Sequence, residues 1–457
     1  MTVPIASSDP VEPPFSVRRS LKLGTFHIGS SLTDLLTSAV WNRILIADLG
    51  IAAWPVALLT SVRYLLSPLT LWAGYQSDTR PLFGSRRVAY IWLGRLLMLL
   101  SLPLLPLSLA ALGHDGRSPS GWTLAVLSFL LYGIGTLISG APFLALVHDS
   151  APYARRGQAI SIVQTFLVAS FAFGGFLYGR LLPDWDYARF WRLVLFAMIG
   201  AFFFWVFSVW GEEKRLPDPT TPTSAPAERP PLGRVLADIL GDQRTRRYAL
   251  FLGASAFFAF MQDAMLEPFG GDVFGLSVGE TTRFNAYWGV GVLLAMVLTA
   301  GLTRRRRPDQ QVGTTAWGLA LLATSLVFLS LASGLVQPAW IRPVLFFFGI
   351  GFGIFTVGGV SLLMAMSKPA QAGSYLALWS MLQLVTRGFG ISMGGVVRDL
   401  ALQLTGAFNS AYAALFAIEA LGLYLCIYLL IRVNVPGFVR QQGPLSATTL
   451  LAAADGS

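Results

Sequence analysis

Gly74-Tyr75-Gln76-Ser77-Asp78-Thr79-Arg80-Pro81-Leu82-Phe83-Gly84-Ser85-Arg86-Arg87 is a short polar interruption between two long apolar runs. Gly74 permits a tight exit from a helix, and two arginines lie downstream within reach of one acid. Asp78 is placed to pair with Arg86 or Arg87, or to sit at a helix N-terminus, where the dipole favours an anion. Such an element acts as a conformational latch on one face of a helical bundle. The arrangement makes sense only if the flanking runs are helices that begin and end at a common surface.

Reading outward, twelve apolar stretches lie near 26–49, 52–73, 88–112, 122–147, 158–182, 190–211, 248–269, 285–303, 313–335, 340–366, 374–397 and 408–432. Each of these stretches, one to twelve in chain order, is near the ~20 residues that a membrane-spanning helix needs. The chain is 54% hydrophobic and 12% charged, against roughly 25% charged in soluble domains. Backbone in lipid must satisfy its own hydrogen bonds, so the stretches are expected to be helices. The expected fold class is an all-α integral membrane protein with twelve transmembrane helices in two six-helix halves.

The net charge is +10, and its distribution carries more information than its sign. If the N-terminus is cytoplasmic, 22 Lys and Arg fall in loops and tails on that side and seven on the other. Arg43, Arg63, Arg95 and Arg387 lie inside stretches. By the positive-inside rule both termini are cytoplasmic, and the basic excess needs no nucleic acid to explain it. The single cysteine, Cys426, excludes a disulfide framework within one chain, and no Cys/His metal motif is present. The first 22 residues lack the apolar core of a cleavable signal and read as a cytoplasmic tail.

The expected organisation is a tail at 1–22, a six-helix half at 23–211, a linker at 212–247, a second half at 248–432 and a tail at 433–457. The linker is rich in Pro and Thr and cannot bury a core, although 232–247 has the pattern of a short basic surface helix. An internal repeat marks the division. Gly133-Ile134-Gly135 recurs as Gly349-Ile350-Gly351, Gly157 as Gly373, Gly174 as Gly390 and Gly179 as Gly395, all offset by 216 residues. Glycines let membrane helices approach closely, so the repeat is expected to preserve packing sites. The competing explanation is coincidence among 46 glycines; a single offset over whole stretches in matching order weighs against it.

The 74–87 loop resembles the loop motif of the major facilitator superfamily, whose two halves are such a parallel repeat. The equivalent loop of the second half keeps Gly301 but has Arg305 where an acid is expected, and there an ordinary basic loop is the better reading. A closer likeness is carried by Asn42-Arg43 with Leu49-Gly50, by Ser77-Asp78-Thr79 with Gly84 to Gly94, and by Gln262-Asp263-Ala264-Met265-Leu266-Glu267-Pro268-Phe269-Gly270-Gly271-Asp272-Val273-Phe274-Gly275. These resemble the PucC-like bacteriochlorophyll-delivery family, light-harvesting complex assembly proteins of that superfamily, over roughly 20–432. The resemblance implies a photosynthetic-membrane protein that handles (bacterio)chlorophyll. Its implied partners are antenna polypeptides or a photosynthetic core complex, with pigment-biosynthesis enzymes beside them. The segment from Phe26 to Asp34 departs from the purple-bacterial pattern and leaves the client antenna open.

Each ionisable residue inside a stretch costs on the order of 2.5–3.5 kcal/mol on insertion scales and needs a reason. Asp263 and Glu267 are four apart, which puts them on one helix face. Arg43 is at similar depth in stretch one, so an Arg43–Asp263 pair is expected. With Asn42, Gln262, Gly270 and Gly271 it would form a site or a structural joint between the halves. Asp34 is expected to pair with Arg95, while Arg63, Arg387 and Glu419 lie mid-stretch, Arg387 within reach of Glu419. Pro268 to Gly271 should end or break stretch seven. Among three histidines, His27 is the best axial-ligand candidate for a pigment magnesium because it borders lipid near Gly29 and Ser30. A histidine at a span end is more commonly an interfacial hydrogen-bonding group.

No P-loop, metal-protease pattern or nucleophile arrangement is found, so no enzyme activity, catalytic residue or metal site is expected. Three functions compete: a pigment carrier and assembly factor, a proton-coupled secondary transporter of a small solute, and a structural subunit of a photosynthetic complex. The expected location is the bacterial cytoplasmic membrane. The topology has a direct test. A cysteine placed at Ser118 should be labelled from outside the cell and one at Thr223 should not; the reverse pattern would overturn the orientation.

Overall fold

The computed structural model describes residues 15–80, 82, 84, 85, 87–152, 155–213, 241–367 and 372–441. Among these residues the chain is helical, with one isolated β-bridge between Leu82 and Ser85. Nine helices are long and apolar enough to cross a membrane, or ten if the bent pair Gln243–Ala264 and Leu266–Phe274 counts as one crossing. Stretches one and eleven are also helical, at 26–48 and Ala372–Thr405. They are more polar, so length and apolarity alone do not bring the count to the expected twelve. The chain is a multi-pass membrane protein.

Local chemistry sets several helix ends. Ser118 accepts from the Gly121 N–H and Pro119 opens the helix Pro119–Asp149, where its missing N–H costs nothing. Asp186 caps Tyr187–Val209 through the Arg189 N–H, and Ser277 with Glu280 forms a capping box. The N-terminal region is more ordered than a polar tail: Val17–Gly24 is a helix. Its Arg19 and Lys22 pair with Glu212 at 2.6 and 2.8 Å, docking it on the end of stretch six. At the other terminus Val435–Gln441 is helical. Most of the expected 232–247 surface helix lies outside the described residues; the basic residues Arg244, Arg246 and Arg247 belong to the first turns of Gln243–Phe258.

Stretch one is not a regular α-helix. Two π-helical runs, Leu36–Val40 and Ile44–Asp48, flank a three-residue α-turn. Stretch seven bends by 46°, but not where expected. The break falls earlier, at the 3₁₀ turn Met261–Ala264. Pro268, Gly270 and Gly271 lie within the helix Leu266–Phe274, which Gly275 closes in the left-handed conformation. Pro268 is in the first turn of that helix, where no intrahelical N–H bond is lost.

The glycine repeat corresponds to matched helix crossings. A Cβ on Gly133 would press on the Arg63 backbone in stretch two, and one on Gly349 on the Trp288 carbonyl in stretch eight. Gly135 meets Gly94 of stretch three; Gly351 meets the Leu322 nitrogen of stretch nine. Gly174 abuts Leu35 of stretch one, and Gly390 abuts Phe257 of stretch seven. Gly179 lies against the Gly279 carbonyl just before stretch eight, and Gly395 against the Ala53 carbonyl opening stretch two. Gly157 has nothing within 4 Å, and the Gly373 position is not described at side-chain level.

These crossings predict that Gly349→Val lowers stability by about 1–3 kcal/mol, the usual cost of overpacking, whereas Gly140→Val, which meets nothing within 4 Å, leaves it unchanged. Thermal midpoints of the two detergent-purified variants check this.

Candidate functional site, a chain of paired charges

The polar residues inside the bundle form two linked clusters, built from helices that would otherwise present only apolar faces. The first lies at mid-depth. Asp34 of stretch one forms an ion pair with Arg63 of stretch two and accepts a 2.5 Å bond from the Tyr132 hydroxyl of stretch four. Thr33 Oγ1 lies 3.0 Å from the same hydroxyl. Arg63 donates onward to Tyr64 at 2.8 Å. The Tyr64 ring in turn carries the guanidinium of Arg387 from stretch eleven, 4.3 Å from its centroid, and Phe260 covers that guanidinium at 3.8 Å. Arg387 pairs with Asp263 of stretch seven at 2.9 Å. The row Tyr132–Asp34–Arg63–Tyr64–Arg387–Asp263 therefore runs from stretches one to six across to stretches seven to twelve. Beside it lies a cavity of about 10 Å³, lined in part by Thr37, Thr60, Arg63 and Tyr132, about the room one water needs.

The second cluster is at the end of the bundle where stretch one meets stretch two. Arg43 pairs with Asp48 at 2.9 Å and donates to the Leu276 carbonyl at 2.8 Å. Its guanidinium lies directly against Gly271, where any Cβ would collide with it. Gly270 is equally confined by Thr281 and Phe284. Arg398 pairs with Asp272 at 2.5 Å and Asp399 at 2.8 Å. Tyr412 donates to Asp272 at 2.7 Å, and Asp399 accepts the Trp54 N–H at 2.9 Å. The Arg398 and Asp272 side chains are 5% and 4% exposed, dry enough that removing one partner would strand a buried charge. Arg43 to Leu276, Trp54 to Asp399 and the Gly279 N–H to the Pro183 carbonyl all join the two groups of helices, closing this end.

These geometries correct the expected pairings. Stretches one and seven do meet, since Asn42 donates to the Ala264 carbonyl at 2.8 Å. However, Arg43 takes Asp48 instead of Asp263, Asp34 takes Arg63 instead of Arg95, and Arg387 takes Asp263 instead of Glu419. Similar depth alone does not fix a partner: the π-helical run Ile44–Asp48 follows Arg43 and ends on Asp48, the carboxylate that Arg43 takes. The 3₁₀ break separates Asp263 from Glu267. Asp263 is part-exposed at its ion pair; Glu267 is buried and accepts a 2.6 Å bond from Asn285. Glu419 is fully buried, and neither of its oxygens has a hydrogen-bond partner among the described residues. Gln262 is buried and donates to its own turn at Ala259.

Arg95 is 4% exposed and has no ion-pair partner among the described residues. It lies between the rings of Phe26 and Trp205, 4.3 and 4.7 Å from their centroids, a cation–π arrangement in place of a carboxylate. His27 does not border lipid freely. Its ring is edge-on to Phe143 at 5.5 Å, and its Nδ1 is buried without a hydrogen-bond partner among the described residues. At the opposite end of the bundle the side chain of Asp78 and all of Arg86 lie outside the described residues. Arg87 pairs with Asp149 at the end of stretch four. Glu213 accepts the backbone N–H of Val88 at 2.8 Å and the Ser85 hydroxyl at 2.6 Å, tying the loop to the end of stretch six. Gly74 faces Ala141 at ordinary contact distance.

Sequence reasoning missed Asp48, Tyr64, Tyr132, Asp149, Glu213, Asp272, Arg398, Asp399 and Tyr412. For Arg398-Asp399 a signal existed: both charges directly follow the apolar run of stretch eleven. Tyr64 and Tyr132 carried no such mark, because tyrosine is common in any membrane protein.

A family model described as PUCC protein matches residues 40–438. The chain belongs to the PucC family. It is 27% identical to Protein PucC of Rhodobacter capsulatus, over 93% of this chain and 94% of that protein. It is 29% identical to an uncharacterised protein of the puhA-bchM intergenic region of the same organism, over 86% and 82% of the two chains. To the bacteriochlorophyll synthase 44.5 kDa chain of that organism it is 26% identical, over 94% and 97%. Among solved structures it resembles a POT family transporter in complex with 5-aminolevulinic acid, with a TM-score of 0.67 at 14% identity over 93% and 96% of the chains. A bacterial homologue of the lysosomal transporter Spinster, in an inward-facing and unoccupied conformation, gives 0.65 at 14% over 92% and 98%. These neighbours establish the transporter-like major facilitator fold of this PucC family member.

The corrected pairings make a sharp prediction. Asp263→Arg alone should destabilise the protein, and adding Arg387→Asp should recover much of the loss. Adding Arg43→Asp instead should recover nothing. Thermal melts of the three variants decide between the pairings.

Proposed function

We propose that this protein is an assembly factor of the photosynthetic membrane that binds (bacterio)chlorophyll as cargo and delivers it to light-harvesting polypeptides. Membership of the PucC family over residues 40–438 carries this reading. The likeness at nearly full length to Protein PucC and to a bacteriochlorophyll synthase chain supports it. On this reading the protein is a binder and not an enzyme, and it lies in the bacterial cytoplasmic membrane with both termini inside. Its partners are antenna polypeptides or the core complex, with pigment-biosynthesis enzymes nearby.

The interior chemistry is consistent with cargo carried other than in a solvated central tunnel. The cavity in the mid-depth row has room for about one water, and the charges there are committed to one another. His27 supplies the unpartnered imidazole nitrogen suited to a magnesium ligand, although Phe26 and Phe143 crowd it. A macrocycle would therefore require those rings to move.

A second reading, a proton-coupled transporter, draws on the transporter neighbours and on Glu419, a buried carboxyl with no hydrogen-bond partner among the described residues. Purification from a pigment-producing host separates the two. The assembly reading expects red or near-infrared absorbance to elute with the protein, and antenna levels to fall several-fold when the gene is deleted. A colourless protein whose solute uptake is abolished by Glu419→Gln, in cells with normal antenna, would overturn it.

A further inference from the structure

Three of the seven basic residues on the expected basic-poor face, Arg180, Arg189 and Arg192, converge on one open cleft of about 500 Å³. Leu181, Pro183 and Phe196 supply its apolar wall. Arg180 is the penultimate residue of the helix Arg156–Leu181, and Arg189 and Arg192 lie in the first two turns of Tyr187–Val209. A cation near a helix N-terminus is opposed by the helix dipole, so two arginines there are placed against local electrostatics. Among the described residues none of the three forms an ion pair, and Arg192 bonds only to the Ala188 carbonyl, at 3.4 Å. Of the two acids in the intervening turn, Asp184 forms no ion pair among the described residues, and Asp186 accepts the Arg189 backbone N–H. An anion is the missing complement.

The cleft does not stop at the charges. Phe196, Ile199 and Phe203 are exposed at helical spacing down one face of Tyr187–Val209, away from the arginines. Ile199 is 70% exposed. A ligand with a negative head and a long apolar tail matches both features. An uncharged pigment ester would leave the guanidinium groups unanswered.

We propose that the cleft between the ends of stretches five and six binds an anionic phospholipid, its phosphate held by Arg180, Arg189 and Arg192 and an acyl chain lying along Phe196, Ile199 and Phe203. Basic pockets between membrane helices recognise headgroups in this way. The Pro183 carbonyl on the cleft wall accepts the Gly279 N–H at 3.0 Å, so the bound lipid would border the closed joint between the two groups of helices.

Native mass spectrometry in detergent with added dioleoyl phosphatidylglycerol or dioleoyl phosphatidylcholine tests this. The proposal expects at least one phosphatidylglycerol to be retained, with roughly hundredfold preference over phosphatidylcholine, given a contribution of the order of fivefold from each of the three arginines. Arg180→Gln/Arg189→Gln/Arg192→Gln should remove the preference, and Arg304→Gln/Arg305→Gln/Arg306→Gln should keep it. Equal retention of the two lipids, or equal loss in both variants, would overturn the site. So would displacement of the lipid by millimolar glycerol phosphate, which would mark a site for a small anion. On the unaltered protein, a phosphatidylglycerol with a photoreactive acyl chain should crosslink to the segment holding Phe196; crosslinks elsewhere only would contradict the proposal.

Discussion

A charge inside a bilayer must find a partner, and the inner architecture of this protein is a consequence of that demand. Arg43, Arg63 and Arg387 each have a carboxylate within ion-pair distance, and so does Arg398, just past the end of stretch eleven. The pairs are spread over stretches one, two, seven and eleven, so satisfying them fixes how those helices sit. Arg95 is the exception among these arginines, held between two aromatic faces, and Glu419 is a buried carboxyl with no hydrogen-bond partner among the described residues. In low dielectric these interactions are strong, but so is the penalty of desolvation. The pairs therefore act first as specificity: they permit one arrangement of helices and make others leave a charge alone.

Close packing supplies the complementary constraint. Where a glycine lets one helix lie on the backbone of another, the two helices have one register. The crossings at Gly133 and Gly349, and at Gly179 and Gly395, recur in matching order along the chain. The last of these join the two groups of helices at the same end as the Arg43 and Arg398 clusters. Packing and charge thus act together at one end, and the row through Tyr64 links the groups at mid-depth. This is a transporter-like scaffold in which most of the described polar groups of the interior are occupied by internal partners.

Much of this architecture is legible in the sequence. Apolar run length marks the helices, and the 74–87 loop with the 216-residue glycine offset marks the kind of fold. Asn42, Arg43, Asp263 and the Gln262 to Gly275 segment do lie where stretches one and seven meet. Pairing is not legible, for a geometric reason. Assigning faces assumes 3.6 residues per turn, whereas π-helical runs at Leu36–Val40 and Ile44–Asp48 and a 3₁₀ turn at Met261–Ala264 rotate the faces of the residues beyond them. Constant periodicity puts Asp263 and Glu267 on one face, and similar depth alone suggests Arg43 for Asp263, whereas the folded chain gives Arg43 to Asp48 and Asp263 to Arg387. The break in stretch seven is legible too, but the sequence pattern assigns it to Pro268, whose position in a first helical turn removes its power to disrupt.

The central claim is that the buried ion pairs, within the stretches and at their ends, hold the helices in place. It is tested most directly by a double-mutant cycle on the driest pair, Asp272 and Arg398, with unfolding free energy measured by steric trapping in bicelles. The account predicts that Asp272→Asn and Arg398→Gln each destabilise, and that the double variant is better than their sum by about 2 kcal/mol or more. Additivity within about 0.5 kcal/mol would contradict it.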